Sequence, residues 1–182
     1  MDLLETKRLI LRELRLADCD DIVRFAGDAA INHHLSFGDL DREEGARKYL
    51  KKAVADAQAR ADMGETRHSY KLAILLKPDR EFIGSCWLDI TEPAHHRASI
   101  GYFIEEKYWG QGLATEAVQA LVAFGLDNLK LHRIEATCDA DHQASRRVLE
   151  KALFSREARL RHKRRRGAVW NDSCLYARIS QS

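Results

Sequence analysis

The sequence predicts an α/β (α+β) fold, with a mixed, mostly antiparallel sheet of about seven strands flanked by about four helices. This prediction rests on the order of the apolar patterns. Alternating segments occupy the start, the middle and the end of the chain, and patterns with helical spacing lie between them. The middle segments follow one another across short turns, as in an antiparallel meander. The length of 182 residues fits one compact domain that spans residues 1–182.

The first third of the chain predicts a strand and two helices separated by a loop. Residues 8–12, a short apolar run between two arginines, predict a first strand. Asp18 is a candidate N-cap for a short helix that ends near Phe25. Residues 28–40 lack periodicity and indicate a loop, whereas residues 41–61 combine high helix propensity with apolar side chains on one side.

The middle of the chain predicts a turn, three antiparallel strands and a long helix. The turn is expected at residues 63–66. Residues 70–76, 82–90 and 97–104 have the alternation of strands. In residues 113–129 the apolar side chains recur at helical spacing, which predicts an amphipathic helix.

The last third predicts a further strand and helix, and then two extended segments. Residues 133–138 alternate as a strand. Asp141 is a candidate cap for a helix over residues 142–152. Extended segments near residues 155–160 and 173–179 complete the expected sheet.

The composition excludes several classes of protein. A formal net charge of +2 does not mark a dedicated nucleic-acid binder, and no apolar run is long enough for a transmembrane helix. The first residues lack the layout of a signal peptide, so we expect a cytoplasmic protein with no membrane partner. The cysteines fit free thiols, with Cys86 and Cys138 buried. Neither pair of adjacent histidines predicts a chelate, and no metal site is expected.

The most informative stretch joins a predicted strand to the long predicted helix. It reads Trp109-Gly110-Gln111-Gly112-Leu113-Ala114-Thr115. Gly110 and Gly112 permit positive φ angles and a close approach of a ligand to the backbone. The first amides of the helix lack internal partners and lie at the positive end of its dipole, which favours a pyrophosphate. The spacing matches neither a dinucleotide-binding fingerprint nor a P-loop, and an ordinary tight turn is the alternative interpretation.

Several blocks of the chain together resemble the GCN5-related N-acetyltransferases (GNAT), in particular the ribosomal-protein alanine N-acetyltransferase (RimJ/RimL)-like branch. The blocks that carry the resemblance are ETKRLILR (5–12), IGYFI (100–104), residues 109–154 as a whole, and within them HRIEAT (132–137) and SRRVLEK (145–151). The resemblance covers nearly the whole chain. It implies the GNAT fold, acetyl-CoA as cosubstrate, and direct transfer of acetyl to a primary amine, on a protein N-terminus or a small molecule, in a ternary complex.

The resemblance also implies which residues bind acetyl-CoA. The implied contacts are made by Gln111, Gly112, Leu113, Ala114 and Thr115 to the pyrophosphate, by Phe103 and Ile104 to the pantetheine arm, and by Ser145 to the sulfur, and His142 is a further implied cofactor-binding residue. Three positions depart from the family pattern, because Trp109 replaces Gln or Arg, His142 replaces Asn and Leu153 replaces Gly. We therefore expect the pyrophosphate to rest more on backbone amides than on a cation. Leu153 is expected in a left-handed helix end, at a cost of about 1 kcal/mol.

Catalytic residues are implied in the same way. Glu106 is the candidate base, and Ser145 is the candidate donor that returns a proton to the sulfur. A second base position of the family is Ser99 here, and Tyr176 is a lesser candidate donor. A carboxylate base is most useful for lysine-like amines, which are almost fully protonated near neutral pH. A solvated strand end for Glu106 and a structural helix-start serine for Ser145 are the alternatives.

The segment 156–166 is strongly basic. A solvated hairpin turn is one interpretation, and contact with an acidic acceptor, with the 3′-phosphate of CoA or with a ribosome are the others. Trp87 is a candidate for the wall of an acceptor cleft. A non-catalytic acyl-CoA-binding or ribosome-associated module is the alternative to the enzyme, and both a monomer and a homodimer are compatible with the sequence.

Overall fold

The computed structural model describes residues 2–35, 37–63 and 67–180. Within these ranges the strands are β1 (Asp2–Glu5), β2 (Leu9–Glu13), β3 (Ser69–Leu76), β4 (Glu81–Glu92), β5 (Arg97–Ile104), β6 (Arg133–Asp139), β7 (Ser155–Arg166) and β8 (Val169–Ile179). The helices are α1 (Cys19–Gly27), α2 (Ala29–Asn32), α3 (Glu43–Met63), α4 (Leu113–Ala123) and α5 (Gln143–Lys151). The predicted fold class is confirmed.

All eight described strands form one sheet, in the order β1-β2-β3-β4-β5-β6-β8-β7. Two short elements were not predicted: β1 is only four residues long, and α2 lies inside the predicted loop. The two last extended segments are longer than predicted and form a long antiparallel hairpin. In the predicted turn, Met63 belongs to α3, and residues 64–66 lie outside the described residues.

Two predicted helix caps were wrong in detail. Asp18 lies at the start of α1, but its buried carboxylate accepts hydrogen bonds from Arg12 and from the Arg15 amide instead of capping the helix. The Asp18 carboxylate neutralises the Arg12 guanidinium. Both residues are buried, since Asp18 is only 4% exposed and Arg12 only 8% exposed. Asp141 precedes the cap of α5, and His142 holds the cap position.

Strand alternation distributes the core over both faces of the sheet. On β2, Leu9 and Leu11 belong to a cluster that packs under α4 and α5, whereas Ile10 belongs to a cluster under α1 and α3. Successive strand residues point to opposite faces, so the apolar run LIL supplies both clusters at once. The sheet is therefore covered on both sides.

The pairing of β5 with β6 is the parallel contact of the sheet, and it is short. It covers only Arg97–Ser99 against Arg133–Glu135. Beyond it, β5 stays paired with β4 as far as Ile104, and β6 stays paired with β8 as far as Asp139. Because each strand follows its own antiparallel neighbour, the two strands diverge and leave a gap between residues 100–104 and 136–139.

Each of the four cysteines is a buried free thiol, which confirms the prediction for Cys86 and Cys138. In the described part of the chain, none of the helices combines the length and apolar character needed to cross a bilayer.

Leu153, directly after α5, has a φ of +65° and thus confirms the predicted left-handed helix end. Leu153 is 69% exposed, so removal of its side chain eliminates few packing contacts. We expect Leu153→Gly to raise the free energy of unfolding by about 0.5–1 kcal/mol, measured by urea denaturation. The matched control is Leu16→Gly, at an exposed leucine with ordinary backbone, which should destabilise the chain. An equal loss in both variants would contradict the assignment of strain to Leu153.

Candidate active site

The gap between β5 and β6 forms a cavity of about 330 Å³. Its walls come from β5, β6 and the start of α5. The lining side chains that bear on chemistry are Ser99, Tyr102, Glu135, Cys138, Asp139, His142 and Ser145, together with His34 from the segment after α2. This cavity, named here the thioester cavity, therefore exists because the strands diverge.

At one end of this gap, the predicted glycine turn leads into α4. Gly110 and Gly112 both have a φ of +75°, a conformation that favours glycine. No side chain among the described residues caps α4, whose first amides have no intrahelical partner. The turn thus presents free backbone donors and the positive end of the helix dipole, which fits a pyrophosphate.

A set of hydrogen bonds that was not predicted from the sequence holds this turn against the start of β2. Glu116, in the first turn of α4, accepts from the Thr6 hydroxyl at 2.6 Å, from the Arg8 amide at 2.8 Å and from Arg8 Nε at 2.7 Å. Burial raises the pKa of the Glu116 carboxyl, but these hydrogen bonds outweigh burial and lower the pKa. Arg8 Nη1 also donates to the Gln111 carbonyl at 2.9 Å. A cation therefore lies beside the turn.

Trp109 contributes its indole where the family has Gln or Arg. Its Nε1 donates to the Ile104 carbonyl at 2.6 Å, and the ring lines the thioester cavity. The Glu105 amide donates to the Ile83 carbonyl on β4 at 2.8 Å. Since neighbouring residues of a strand direct their backbone groups to opposite edges, the Ile104 amide is directed to the open edge that faces β6.

Ser145 has a partner that the sequence analysis missed. Its Oγ lies 2.9 Å from the Tyr102 hydroxyl, which also donates to the Ser145 carbonyl at 3.2 Å. Burial raises the pKa of Tyr102, so the phenol keeps its proton. Tyr176, the lesser candidate donor, is fully buried elsewhere and its hydroxyl bonds Glu150 and Arg146.

The structure does not place the candidate base Glu106 at either cavity described here. The strand β5 ends at Ile104, and Glu106 begins a short exposed 3-10 turn. Glu105 is bound by Arg24 at 2.6 Å. Glu135 does line the thioester cavity, but Arg97 and Arg133 each donate to it at 2.7 Å. Burial raises the pKa of the Glu135 carboxyl, yet the two guanidinium groups outweigh burial and lower the pKa.

A second and larger cavity, of about 980 Å³, adjoins the first and is named here the acceptor cavity. Its floor is aromatic, with Phe103 in edge contact with Phe25 and Phe37. Trp87 lines both cavities, as expected for a residue of the acceptor cleft. The cations that line the acceptor cavity are Lys71, Arg164, Arg165 and Arg166, and its described lining includes no carboxylate.

The basic segment divides into two parts. Arg156, Arg161 and Lys163 are exposed along β7, the edge strand of the sheet, where charge opposes pairing with another chain. At the hairpin tip, by contrast, Arg164 donates to the His34 carbonyl at 3.2 Å, and Arg166 pairs with Asp139. The tip therefore folds over the acceptor cavity.

The structure assembles most of the predicted cofactor residues but adds others. Phe103, Ile104, Ala114, His142 and Ser145 line the thioester cavity, whereas Gln111, Gly112, Leu113 and Thr115 form the turn and helix start at its end. Thr6 and Arg8 lie in the block 5–12, which resembles the family, so the sequence did contain an indication that they belong to the site. Tyr102, His34 and Asp139 come together only through the fold.

A diverging pair of strands beside a glycine turn and an uncapped helix defines a class of transferases that bind an acyl thioester of coenzyme A. Residues 8–155 match the model of the acetyltransferase (GNAT) domain, and the chain belongs to this family. It is an acetyl-CoA-dependent N-acetyltransferase, as the resemblance implied, and acetyl-CoA is its cosubstrate.

Known relatives agree with this assignment. The chain is 30% identical over 161 residues to the uncharacterized N-acetyltransferase p20 of Bacillus licheniformis, which covers 88% of this chain and 86% of p20. It is 32% identical over 112 residues to the ribosomal-protein-serine acetyltransferase of Escherichia coli, with 62% of each chain covered. The solved RimL ribosomal L7/L12 alpha-N-protein acetyltransferase in complex with coenzyme A shares the fold, with a TM-score of 0.84, 21% identity and 98% of each chain covered.

The glycine turn provides a direct test of cofactor binding. We expect Gly112→Glu to raise the Kd for acetyl-CoA by at least about tenfold, because it adds a carboxylate and backbone strain where anionic phosphate must lie. The control is Gly167→Glu, which adds the same charge at a residue with a φ of +55°, at the hairpin tip. Titration calorimetry measures both, and unchanged affinity in the Gly112 variant would contradict this assignment.

Proposed function

We propose that this chain acetylates a primary amine by direct attack, with Ser145, Tyr102 and the Ile104 amide as its acting groups. Acetyl-CoA supplies an acetyl thioester, whose carbonyl carbon accepts the amine and whose thiol leaves. The observation that carries the proposal is the pairing of Ser145 with Tyr102, 2.9 Å apart, inside the cavity that the splayed strands create.

The turn and its neighbours bind the nucleotide end. The amides of residues 111–115 hold the pyrophosphate, and Arg8, anchored by Glu116, adds the cation that Trp109 does not supply. Phe103 and Ile104 lie along the pantetheine arm, since their strand leaves an open edge. The Ile104 amide, directed to that edge, donates to the thioester oxygen and stabilises the charge that develops on it.

Tyr102 and Ser145 return a proton to the departing sulfur. Both hydroxyls are neutral donors, and their mutual hydrogen bond fixes the distance between them. Cys138 is no nucleophile in this scheme, because burial raises the pKa of its thiol to about 11 and leaves little thiolate. No covalent intermediate with the protein is therefore involved.

The acceptor in this proposal carries an anionic group close to its amine. Three arginines at the hairpin tip and Lys71 line the acceptor cavity. Among the described residues, only Lys71 and Arg166 of these four have carboxylate partners within hydrogen-bonding distance, Asp89 and Asp139. The positive charge that remains attracts an acidic segment. An acidic protein N-terminus or an anionic small amine fits this cavity, whereas a polyamine does not.

The whole chain acts in this proposal as one acetyltransferase domain in the cytoplasm. Four free buried thiols are typical of a reducing compartment, and the Escherichia coli relative is named for a ribosomal protein. The exposed basic residues of β7, Arg156, Arg161 and Lys163, would give contact with a ribosome through phosphate charge.

The primary test is release of free CoA from acetyl-CoA in the presence of an amine. The panel contains Ser-Asp-Glu peptide amide, Ser-Lys-Lys peptide amide and spermidine, with mass spectrometry of each product. Acetylation of an α-amine or small amine supports the proposal. Lack of turnover with every amine, although acetyl-CoA binds, would favour a binding module instead.

Variants at the hydroxyl pair test the donor. We expect Ser145→Ala and Tyr102→Phe to lower kcat by about 10²-fold, with smaller effects on KM for acetyl-CoA, because proton return to the sulfur is lost. Tyr176→Phe removes an identical hydroxyl outside the cavity and should leave kcat unchanged. If kcat in the first two variants equals that of the native chain, the pair is structural.

The acceptor preference can be tested by exchanging charges. We expect kcat/KM for Ser-Asp-Glu amide to exceed that for Ser-Lys-Lys amide by about tenfold, and to fall as salt rises. Arg165→Glu should remove this preference, whereas Arg161→Glu, which makes the same charge change on exposed β7, should keep it. An undiminished preference in Arg165→Glu would contradict the anionic acceptor.

A further inference from the structure

Acetyl transfer requires an unprotonated amine, and neither Glu106 nor Glu135 supplies a suitable base. An α-amine with a pKa of about 8 is mostly protonated near neutral pH. Glu106 is exposed outside both cavities, and Glu135 is held by two guanidinium groups. A carboxylate so stabilised in its charged form is a weak proton acceptor. The base must therefore be sought among the other groups at the junction of the two cavities.

His34 lies at this junction, because it lines both the thioester cavity and the acceptor cavity. It follows α2, and its backbone carbonyl is held by Arg164 from the hairpin tip. Its ring stacks on His142, with centroids 3.4 Å apart and planes 6° from parallel. Contacts from α5 and from β7 thus fix the position of this imidazole.

The carboxylate of Asp139 orients the imidazole ring of His34. Its Oδ2 lies 3.4 Å from His34 Nδ1, and the residue is only 2% exposed. Its Oδ1 has no hydrogen-bond partner among the described residues, although Arg164 lies 3.9 Å away and Arg166 pairs with the other oxygen. A carboxylate beside Nδ1 favours the tautomer that carries its proton there. Nε2 then keeps a free lone pair.

We propose that His34 is the general base of this N-acetyltransferase and that Asp139 is its positioning residue; the inference rests on the proposed function. Nε2 of His34 takes a proton from the acceptor amine as the N–H bond breaks. The electron pair left on nitrogen forms the new N–C bond to the acetyl carbon, and the C–S bond breaks as the Tyr102–Ser145 pair donates a proton to the sulfur. The nitrogen, now bonded to the acetyl group, loses a second proton, which passes through solvent and restores the hydroxyl pair. His34 then releases its proton to solvent.

Burial keeps His34 neutral and able to accept a proton, and the charges around it shift its pKa in both directions. The groups that face it are His33 on its own segment, Asp139 from β6, His142 from α5, and Arg164 and Arg166 from β7. Burial lowers the pKa of His34 more than the hydrogen bond to Asp139 raises it. Burial also lowers the pKa of His142 to about 4, so the stacked ring brings no charge.

The experiment measures kcat/KM for Ser-Asp-Glu amide with His34→Ala and with His95→Ala as the control, which changes an exposed histidine that lines neither cavity. We expect His34→Ala to lose about 10²-fold near pH 7 and progressively less as the pH rises through the amine pKa, because a neutral amine needs no base. Added imidazole should restore part of the lost rate in His34→Ala alone. His95→Ala should behave as the native chain.

Binding and folding are followed in parallel. Acetyl-CoA affinity by calorimetry and the melting temperature should stay near native in His34→Ala. A native rate in His34→Ala, or a loss that is equal at every pH and insensitive to imidazole, would overturn the base assignment. Absence of turnover by the native chain with all the amines would instead refute the proposed function, and this inference would fall with it. The two failures are therefore distinguishable.

Discussion

The site depends on one constraint, the early end of the pairing between β5 and β6. The two strands share hydrogen bonds only over Arg97–Ser99 and Arg133–Glu135, and each then follows a different antiparallel partner. A backbone edge that loses its neighbour must bind something else or remain solvated. Here the open edge forms the wall of a cavity, and the strand ends carry the polar side chains that face it.

Two sets of long-range contacts support the two ends of this gap between β5 and β6. The bonds from Thr6 and Arg8 to Glu116 tie the first turn of α4 to β2, so the anion-binding amides have a rigid support. At the other end, the tip of the β7–β8 hairpin reaches Asp139 and the segment after α2. Both contacts join parts of the chain that are far apart in sequence. The cofactor side and the acceptor side are thus built by separate long-range contacts.

The electrostatics of the two sides differ accordingly. Backbone dipoles and Arg8 favour phosphate at the start of α4. In the thioester cavity, neutral hydroxyls and imidazoles lie beside the carboxylates of Glu135 and Asp139, since burial suppresses the charged forms of Tyr102 and His142. Both carboxylates are already paired with arginines. Three arginines and Lys71 line the acceptor cavity. The proposed reaction centre thus lies between two cationic regions, and its own charges are compensated.

Local patterns in the sequence determined the elements and the cofactor end of the site. Alternation predicted β2 to β6, and Gly110 and Gly112 predicted the anion-binding turn, because both signals depend on residues adjacent in the chain. The resemblance to the family added Ser145. The short β1 and α2 were not predicted, since elements of four residues carry too little periodicity. The cap at Asp18 was misassigned because its carboxylate pairs with Arg12, and at α5 the cap position belongs to His142 and not to Asp141.

Only the tertiary structure decided which groups meet in the two cavities. Glu106 was matched by its position in the sequence, but the end of β5 at Ile104 takes it out of the site. Tyr102 meets Ser145 across 43 residues, and His34 meets Asp139 across 105. No periodicity or spacing encodes contacts of that separation, because they arise where strands diverge and a distant hairpin folds back. The sequence by itself therefore determined the fold class and the cofactor, and packing decided the chemistry of the acceptor side.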